Sequence, residues 1–344
     1  MTAESPKATD ASSDVPVFHV LALSGGGYRG LYSAAILRQL EETLGKPLAK
    51  HFDLICGTSA GGLLALGLAA EIPAAELQEM FEKDGQKIFS SRDWWRRLTG
   101  FFLRAKHSNA GLRSVLTEKF GAGTIGDLRH RVLIPAVNYS TGRGQFFKTP
   151  HHPTFELDHK LTLVDVALAT SAAPVYFPIA RNSRGAFVDG GLVGNAPGFF
   201  GLHEVKTFIA ADVAGPVKIR VLAIGTMTNG ATMPGGTNLD RGIFQWKESL
   251  FDLVISAQES SVYYMLKQIL RDDYVSLDEK PTPDQSQDVK KLDRVTEGST
   301  NTLKDRAAHT FQQALGNPNF LPFRRHTAKP ATFFHGPNQN NQGS

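Results

Sequence analysis

Two short turns and one aspartate in this sequence have the residue types that ester hydrolysis needs. Ser59 stands at the centre of a G-x-S-x-G pattern at residues 57–61, between an apolar run and an apolar helical pattern. A serine hydroxyl becomes a nucleophile when it is exposed, oriented and given a base, and a sharp strand-to-helix turn exposes it. The alternative is an ordinary turn in which Ser59 only caps the helix.

A glycine turn precedes the serine turn, with the sequence Gly-Gly-Gly-Tyr-Arg-Gly at residues 25–30. Because glycines let backbone N–H groups approach a developing negative charge closely, we interpret this turn as an oxyanion hole. Arg29 adds a cation near that charge or near a substrate phosphate, or else forms a salt bridge that holds the loop. The pattern also fits a dinucleotide-binding turn, but such a site needs an acidic residue at the end of the second strand, and Asp53 lies at its start.

Asp189 follows a short apolar run and precedes two glycines. We expect it at the carboxyl end of a strand, the edge of the sheet where α/β proteins form their sites. Simple turn chemistry is the alternative, since Asp-Gly is a common turn.

The histidines and the cysteine are weaker candidates. His203 or His309 could complete a Ser…Asp…His triad, but a surface or structural place is favoured for both. Cys56 is the only cysteine, which excludes an intramolecular disulfide and a cysteine-based zinc site, and we expect it to be buried behind the serine turn. We expect no metal site, because the one other candidate cluster has irregular spacing. That cluster consists of His151, His152, Asp158 and His159.

The elements that must position these residues follow a strand, turn, helix order. An apolar run at 17–23 leads into the glycine turn and another at 52–56 leads into the serine turn, and a helical pattern follows each. This order predicts an α/β fold with a parallel sheet. Further strands are predicted at 132–139, 145–148, 186–188 and 219–224, and further helices at 73–90, 163–172 and 243–270.

The composition is that of a globular protein of one or two domains. Apolar residues make up 41% of the 344 positions and charged residues 20%, while 37 Lys+Arg against 33 Asp+Glu give a net charge of +4. So small an excess does not predict a DNA or RNA partner. No apolar run reaches the roughly 18–20 residues of a membrane span, and the polar residues 1–15 do not resemble a signal peptide. We therefore expect a cytoplasmic protein that meets the inner face of the membrane peripherally.

The segment 93–106 combines aromatic and basic residues. Trp94, Trp95, Phe101 and Phe102 fall on one helical face, which suits contact with a lipid interface. The alternative is a helix that packs this apolar stripe on the protein's own core.

Four motifs in order resemble the patatin-like phospholipase family, and the resemblance covers residues 17–230. It implies a three-layer α/β/α fold with a mostly parallel central sheet, and a Ser–Asp dyad in place of a triad. Ser24 departs from the pattern, because many family members have Asp there. The matching motifs are SGGGYRG (24–30), GTSAGG (57–62), TSAAPVYFP (170–178) and FVDGG (187–191), followed by Asn195 and Pro197.

The resemblance also implies roles for single residues. Ser59 would be the nucleophile and Asp189 the general base of a lipid acyl hydrolase of the phospholipase A type, which needs no cofactor. The N–H groups of Gly25, Gly26, Gly27 and Ala60 would form the oxyanion hole.

The residues of the first two motifs are most similar to those of bacterial patatin-like effectors of antiphage defence. Those effectors degrade membrane phospholipids when a cyclic dinucleotide arrives. The alternatives are a lipase or esterase without nucleotide control, a dinucleotide-binding oxidoreductase and a non-catalytic lipid-binding module. Whether the protein assembles on activation is left open. Side chains available for a nucleotide are Arg241, Trp246, Tyr263, Tyr264, Lys267 and Arg271.

The chain divides, on this interpretation, into three parts. Residues 1–15 form a disordered tail, residues 16–230 form the catalytic domain, and residues 231–344 form a helical extension packed on that domain.

Overall fold

A twisted central sheet carries the fold of this protein, whose computed structural model describes residues 15–89, 105–227, 240, 246, 248–282 and 284–339. The described strands are β1 (Val17–Leu23), β2 (Leu54–Gly57), β3 (Val132–Asn138), β4 (Arg143–Lys148), β5 (Ala180–Asn182), β6 (Gly185–Asp189), β7 (Lys218–Ile224) and β8 (Tyr274–Leu277). They are ordered β5-β6-β3-β2-β1-β7-β8, with β4 paired to β3. The pairs from β3 through β2, β1 and β7 to β8 are parallel, and β4, β5 and β6 pair antiparallel.

Helices cover both faces of this sheet. The described helices are α1 (Gly30–Leu44), α2 (Ala60–Ala69), α3 (Ala74–Ile88), α4 (Asn109–Phe120), α5 (Leu163–Thr170), α6 (Gly191–Gly194), α7 (Gly198–Glu204), α8 (Glu248–Leu270), α9 (Ser286–Val289), α10 (Glu297–Leu315) and α11 (Leu321–Arg325). Among them, none combines the length and the apolarity needed to cross a bilayer.

The central strand β1 shows why the sheet is buried on both sides. Leu21 and Leu23 point into a large core shared with α1 to α5 and α10, while Val20 and Ala22 point into a smaller core shared with α7 and α8. Alternate residues of a strand face opposite sides, so a continuous apolar run predicts burial on both faces. The predicted three-layer α/β/α fold with a mostly parallel sheet is confirmed.

The C-terminal part contributes more than helices. It supplies β8, which the sequence analysis did not assign and which extends the sheet in parallel beside β7. It also supplies α10, where Thr310 Oγ1 lies 2.7 Å from the hydroxyl of Tyr32 on α1. The parts of the chain on either side of residue 230 therefore share one sheet and one core.

Some predictions fall on residues outside those described. They concern the tail at residues 1–14, the side chains of Trp94, Trp95, Phe101 and Phe102, and Arg241.

Candidate active site

The serine turn joins β2 to α2 through a strained backbone. Ser59 has φ 53° and ψ −123°, a conformation that residues with a side chain rarely adopt. The two flanking glycines are required by close packing. A Cβ on Gly57 would lie 2.1 Å from Gly61 O, and one on Gly61 would lie 2.2 Å from Leu23 O. The turn thus lifts the Ser59 hydroxyl at the carboxyl end of β2, as the pattern predicts.

Ser59 and Asp189 meet directly. Ser59 Oγ donates a hydrogen bond to Asp189 Oδ2 at 2.7 Å. Asp189 is the last residue of β6 and is only 2% exposed. Its other oxygen, Oδ1, accepts the N–H of Gly191 at 2.7 Å. One carboxylate oxygen is therefore fixed by the backbone while the other faces the serine.

The surroundings of Asp189 make it a stronger base than an ordinary aspartate. Burial raises the pKa of Asp189 to about 6, although the hydrogen bonds from Gly191 and Ser59 act to lower it. A base accepts a proton best when its pKa lies near the working pH. At neutral pH the carboxylate is still ionised, so it can take the Ser59 proton.

Thr170, at the end of α5, and Ala172 just after it each hold one member of this pair in place. Thr170 Oγ1 accepts the Ser59 N–H at 3.0 Å and donates to Pro135 O at 2.6 Å. Two residues further on, Ala172 O accepts the Asp189 N–H at 3.0 Å. Residues 170–178 match a family motif, but that motif indicated no role for Thr170 itself. The motif was the only signal for it, because its partners are distant in sequence.

The glycine loop lies against Ser59, and one predicted donor is already occupied. A Cβ on Gly25 would be 3.1 Å from Ser59 Cβ. The Gly25 N–H, however, donates to Asn195 O at 3.2 Å. Its carbonyl accepts hydrogen bonds from Asn195 Nδ2 and Thr226 Oγ1, each at 3.0 Å. The prediction that Gly25 offers its N–H to an oxyanion is therefore corrected, because that N–H supports the loop.

Three other N–H groups remain suited to an oxyanion. Within the described part of the chain, those of Gly26 and Gly27 have no hydrogen-bond partner. Ala60 opens α2, and the first N–H groups of a helix have no intrahelical acceptor. Gly26 and Gly27 leave no room for a side chain, since a Cβ would lie 2.3 Å from Thr226 Oγ1 or from Leu292 O, respectively. Such an arrangement can stabilise developing negative charge next to Ser59.

Arg29 is buried, with only 7% of the residue exposed to solvent. Burial and the charge of Glu259 raise the pKa of Asp278 to about 7, and the positive charge of Arg29 opposes this shift. The structure thus places Arg29 in the interior near Asp278. The alternative of a structural role in holding the loop fits this position better than the predicted contact with substrate.

Neither the dinucleotide-binding site nor the histidine triad considered from the sequence forms among the described residues at this edge of the sheet. Asp53 accepts the His19 N–H at 2.8 Å, at the amino end of the parallel strands, so the dinucleotide-binding interpretation lacks its acidic residue. In the described ranges no histidine hydrogen-bonds to Ser59 or Asp189. His309 instead contacts Glu279 at 3.1 Å.

The candidate metal cluster consists of side chains with other partners. His151 contacts Glu204 at 3.0 Å, and Asp158 is paired with Arg184. Over the residues that the structure describes, no group of three or more His, Cys, Asp or Glu is arranged to hold a metal ion. Cys56 is fully buried, as expected.

Comparison with known proteins agrees with this geometry. The family model for patatin-like phospholipases matches residues 21–198, a range that contains both Ser59 and Asp189. A protein of Pseudomonas aeruginosa named "cGAMP-activated phospholipase" is 68% identical over 95% of this chain and 97% of its own length. A protein of the same name from Vibrio cholerae is 41% identical over 60% of this chain and 64% of its own.

Among solved structures, VipD from Legionella pneumophila aligns with a TM-score of 0.44 at 14% identity, over 87% of this chain and 67% of that chain. The family match and the 68% identical relative are sufficient for assignment. The chain belongs to the patatin-like phospholipase family.

Proposed function

We propose that this protein hydrolyses acyl esters of membrane phospholipids, with Ser59 as nucleophile and Asp189 as general base. The observation that carries the proposal is the 2.7 Å hydrogen bond from Ser59 Oγ to Asp189 Oδ2 at the strained serine turn. The chain's membership of a phospholipase family supports the same chemistry. No metal or cofactor has a role in this chemistry.

In the first half of the reaction, Ser59 Oγ attacks the ester carbonyl carbon while its proton passes to Asp189 Oδ2. The carbonyl oxygen becomes an oxyanion, which receives hydrogen bonds from the N–H groups of Gly26, Gly27 and Ala60. The bond between the ester carbonyl carbon and the alcohol oxygen of the lipid then breaks. The leaving oxygen takes the proton from Asp189, and a lysolipid departs from the acyl-enzyme.

In the second half, water attacks the acyl-enzyme and Asp189 again accepts the proton. The tetrahedral intermediate collapses and the Ser59 oxygen recovers its hydrogen from Asp189. A free fatty acid leaves, so both residues return to their starting state.

We further propose that a cyclic dinucleotide activates the enzyme. Support comes from the relative named "cGAMP-activated phospholipase", whose 68% identity extends over 95% of this chain and so includes the C-terminal part. The antiphage role, peripheral binding at the inner face of the membrane and assembly on activation remain predictions from the resemblance. A lipase without nucleotide control is the alternative.

The proposal is tested by measuring fatty-acid release from phospholipid vesicles, with and without cGAMP. We expect wild-type release to depend on cGAMP and to fall by about a thousandfold or more in Ser59→Ala. Ser260→Ala, which changes a serine on α8 bonded to Ala257 O, is the matched control and should retain full activity. Equal release without cGAMP would favour the unregulated lipase, and release that survives Ser59→Ala would refute the proposed nucleophile.

A further inference from the structure

A buried carboxylate in the C-terminal part binds a lysine and a histidine beside the glycine loop. Asp293 lies between α9 and α10, and its side chain is 6% exposed. Its Oδ2 accepts hydrogen bonds from Lys106 Nζ at 2.6 Å and from His107 Nε2 at 2.8 Å. Burial would raise the pKa of Asp293, but these two hydrogen bonds hold it at about 2. At neutral pH Asp293 is therefore ionised, and its Oδ2 is held by two partners.

The residue before Asp293 touches the glycine loop. Leu292 O accepts the N–H of Tyr28 at 2.7 Å. Gly27 has φ 58°, and a Cβ there would lie 2.3 Å from the same Leu292 oxygen. Since Leu292 and Asp293 share a peptide bond, fixing the Asp293 carboxylate restricts where the Leu292 carbonyl lies. That carbonyl in turn sets the backbone of Gly27, one of the proposed oxyanion donors.

The two partners of Asp293 are also bonded to the segment that follows α5. The N–H groups of Lys106 and His107 donate to Val175 O and Tyr176 O, each at 2.8 Å. The same stretch of chain begins with Thr170 and Ala172, which bind the backbone of the nucleophile and the base. Asp293 therefore joins the segment behind the Ser–Asp pair to the loop that faces it.

The free-energy cost of burying the Asp293 ion pair suggests that it has a role beyond stability. Removing charged groups from water is unfavourable, and buried ion pairs are often no better for stability than packed apolar residues. A fixed ionic contact does, however, keep groups within the small tolerance that catalysis requires.

We infer that Asp293 is a positioning residue, which aligns the Gly26–Gly27 N–H groups with Ser59 by tying the Leu292 carbonyl to Lys106 and His107. The inference rests on the proposed function of the Ser59 site. It implies that the C-terminal part, beyond the residues 21–198 matched by the family model, completes the geometry of the active site.

The test compares Asp293→Ala with Asp273→Ala in the full-length protein with cGAMP present. Asp273 likewise has two basic partners, Lys218 at 3.1 Å and Arg220 at 2.9 Å, but it lies at the opposite, amino end of the strands. An oxyanion contact acts in the transition state, so its misalignment lowers kcat and leaves KM nearly unchanged. On a short-chain p-nitrophenyl ester we expect kcat to fall about 10- to 100-fold in Asp293→Ala. Asp293→Asn, which keeps one acceptor oxygen, should fall less, and Asp273→Ala should match wild type.

The outcomes separate this inference from the proposed function. If wild type shows Ser59-dependent hydrolysis and Asp293→Ala keeps the wild-type kcat, the inference is wrong while the proposed function stands. If wild type shows no such hydrolysis, the proposed function fails first. If the melting temperature shows that Asp293→Ala does not fold, Lys106→Met and His107→Gln decide. A reduced kcat at constant KM in either variant supports positioning, and unchanged kcat in both overturns it.

Discussion

At the scale of single residues, the reactivity of Ser59 depends on a carboxylate that is held away from water. Asp189 is 130 positions away in sequence, yet its Oδ2 lies 2.7 Å from the serine oxygen. The types and the turn positions of both residues could be predicted from the sequence, because each comes at the end of an apolar run, with Ser59 between two glycines and Asp189 before two. Their distance and the raised pKa could not, since burial is a property of the folded chain.

The pKa of Asp189 leads to a pH prediction. Only the ionised carboxylate accepts the Ser59 proton, and burial raises its pKa to about 6. Below pH 6 the ionised fraction, and with it kcat/KM, should fall about tenfold per pH unit. An aspartate with an ordinary pKa near 3.9 would give a flat profile down to about pH 5. The measurement is kcat/KM on a soluble ester between pH 5 and pH 8.

A second buried carboxyl group could titrate in the same pH range, because burial raises the pKa of Asp278 to about 7. Its Oδ1 accepts the Met227 N–H at 2.9 Å, whereas the Ser59 hydroxyl donates to Asp189. Asp278→Asn should therefore leave the acid limb near pH 6 even if it changes the height of the profile. A limb that disappears in Asp278→Asn would show that Asp189 is not the titrating group.

At the scale of elements, the structure explains which contacts the sequence could predict. Local signals placed the serine turn between β2 and α2 and the Asp189 turn after β6. The contacts that complete the site escaped prediction because they are backbone carbonyls or distant side chains. Leu292 acts through its carbonyl oxygen, which every residue type possesses, and the Thr170 hydroxyl is bonded to residues far along the chain.

The packing of α10 on α1 gives a prediction for stability. The Tyr32 hydroxyl is fully buried and lies 2.7 Å from Thr310 Oγ1. Tyr32→Phe should lower the free energy of unfolding by about 1 kcal/mol, the usual net value of a buried hydrogen bond. Thr310 keeps its second bond, to Glu279 Oε2 at 3.1 Å, so a larger penalty is not expected.

Urea unfolding measures this difference. Tyr264→Phe is the matched control, because Tyr264 is 69% exposed and the same change there should leave the midpoint unaltered. Equal midpoints for Tyr32→Phe and wild type would contradict the proposed contribution of this helix pair.

At the scale of the whole molecule, the C-terminal part cannot be regarded as an appendage. β8 continues the sheet, α10 fills the core beside α1, and the segment at 292–293 contacts the glycine loop. The sheet and the large core both continue across the expected boundary at residue 230. We propose that the described residues between 16 and 339 fold as one unit, in which the C-terminal part supports the site formed by the N-terminal part.

This organisation suits control by a small ligand. A ligand that binds the C-terminal part can shift the Leu292 carbonyl and, with it, the oxyanion donors of the glycine loop. It need not contact Ser59 or Asp189. Coupling of that kind requires that the ligand favour one arrangement of the linked segments over another.

The decisive experiment for the Ser59–Asp189 pair is to find which residue reacts with a fluorophosphonate probe, which requires an activated serine. The protein is treated with the probe in the presence of cGAMP, and the modified peptide is identified by mass spectrometry. We predict a single adduct on Ser59, none in Ser59→Ala, and labelling at least about 100-fold slower in Asp189→Asn. An adduct on another serine, or undiminished labelling of Asp189→Asn, would contradict the proposed dyad.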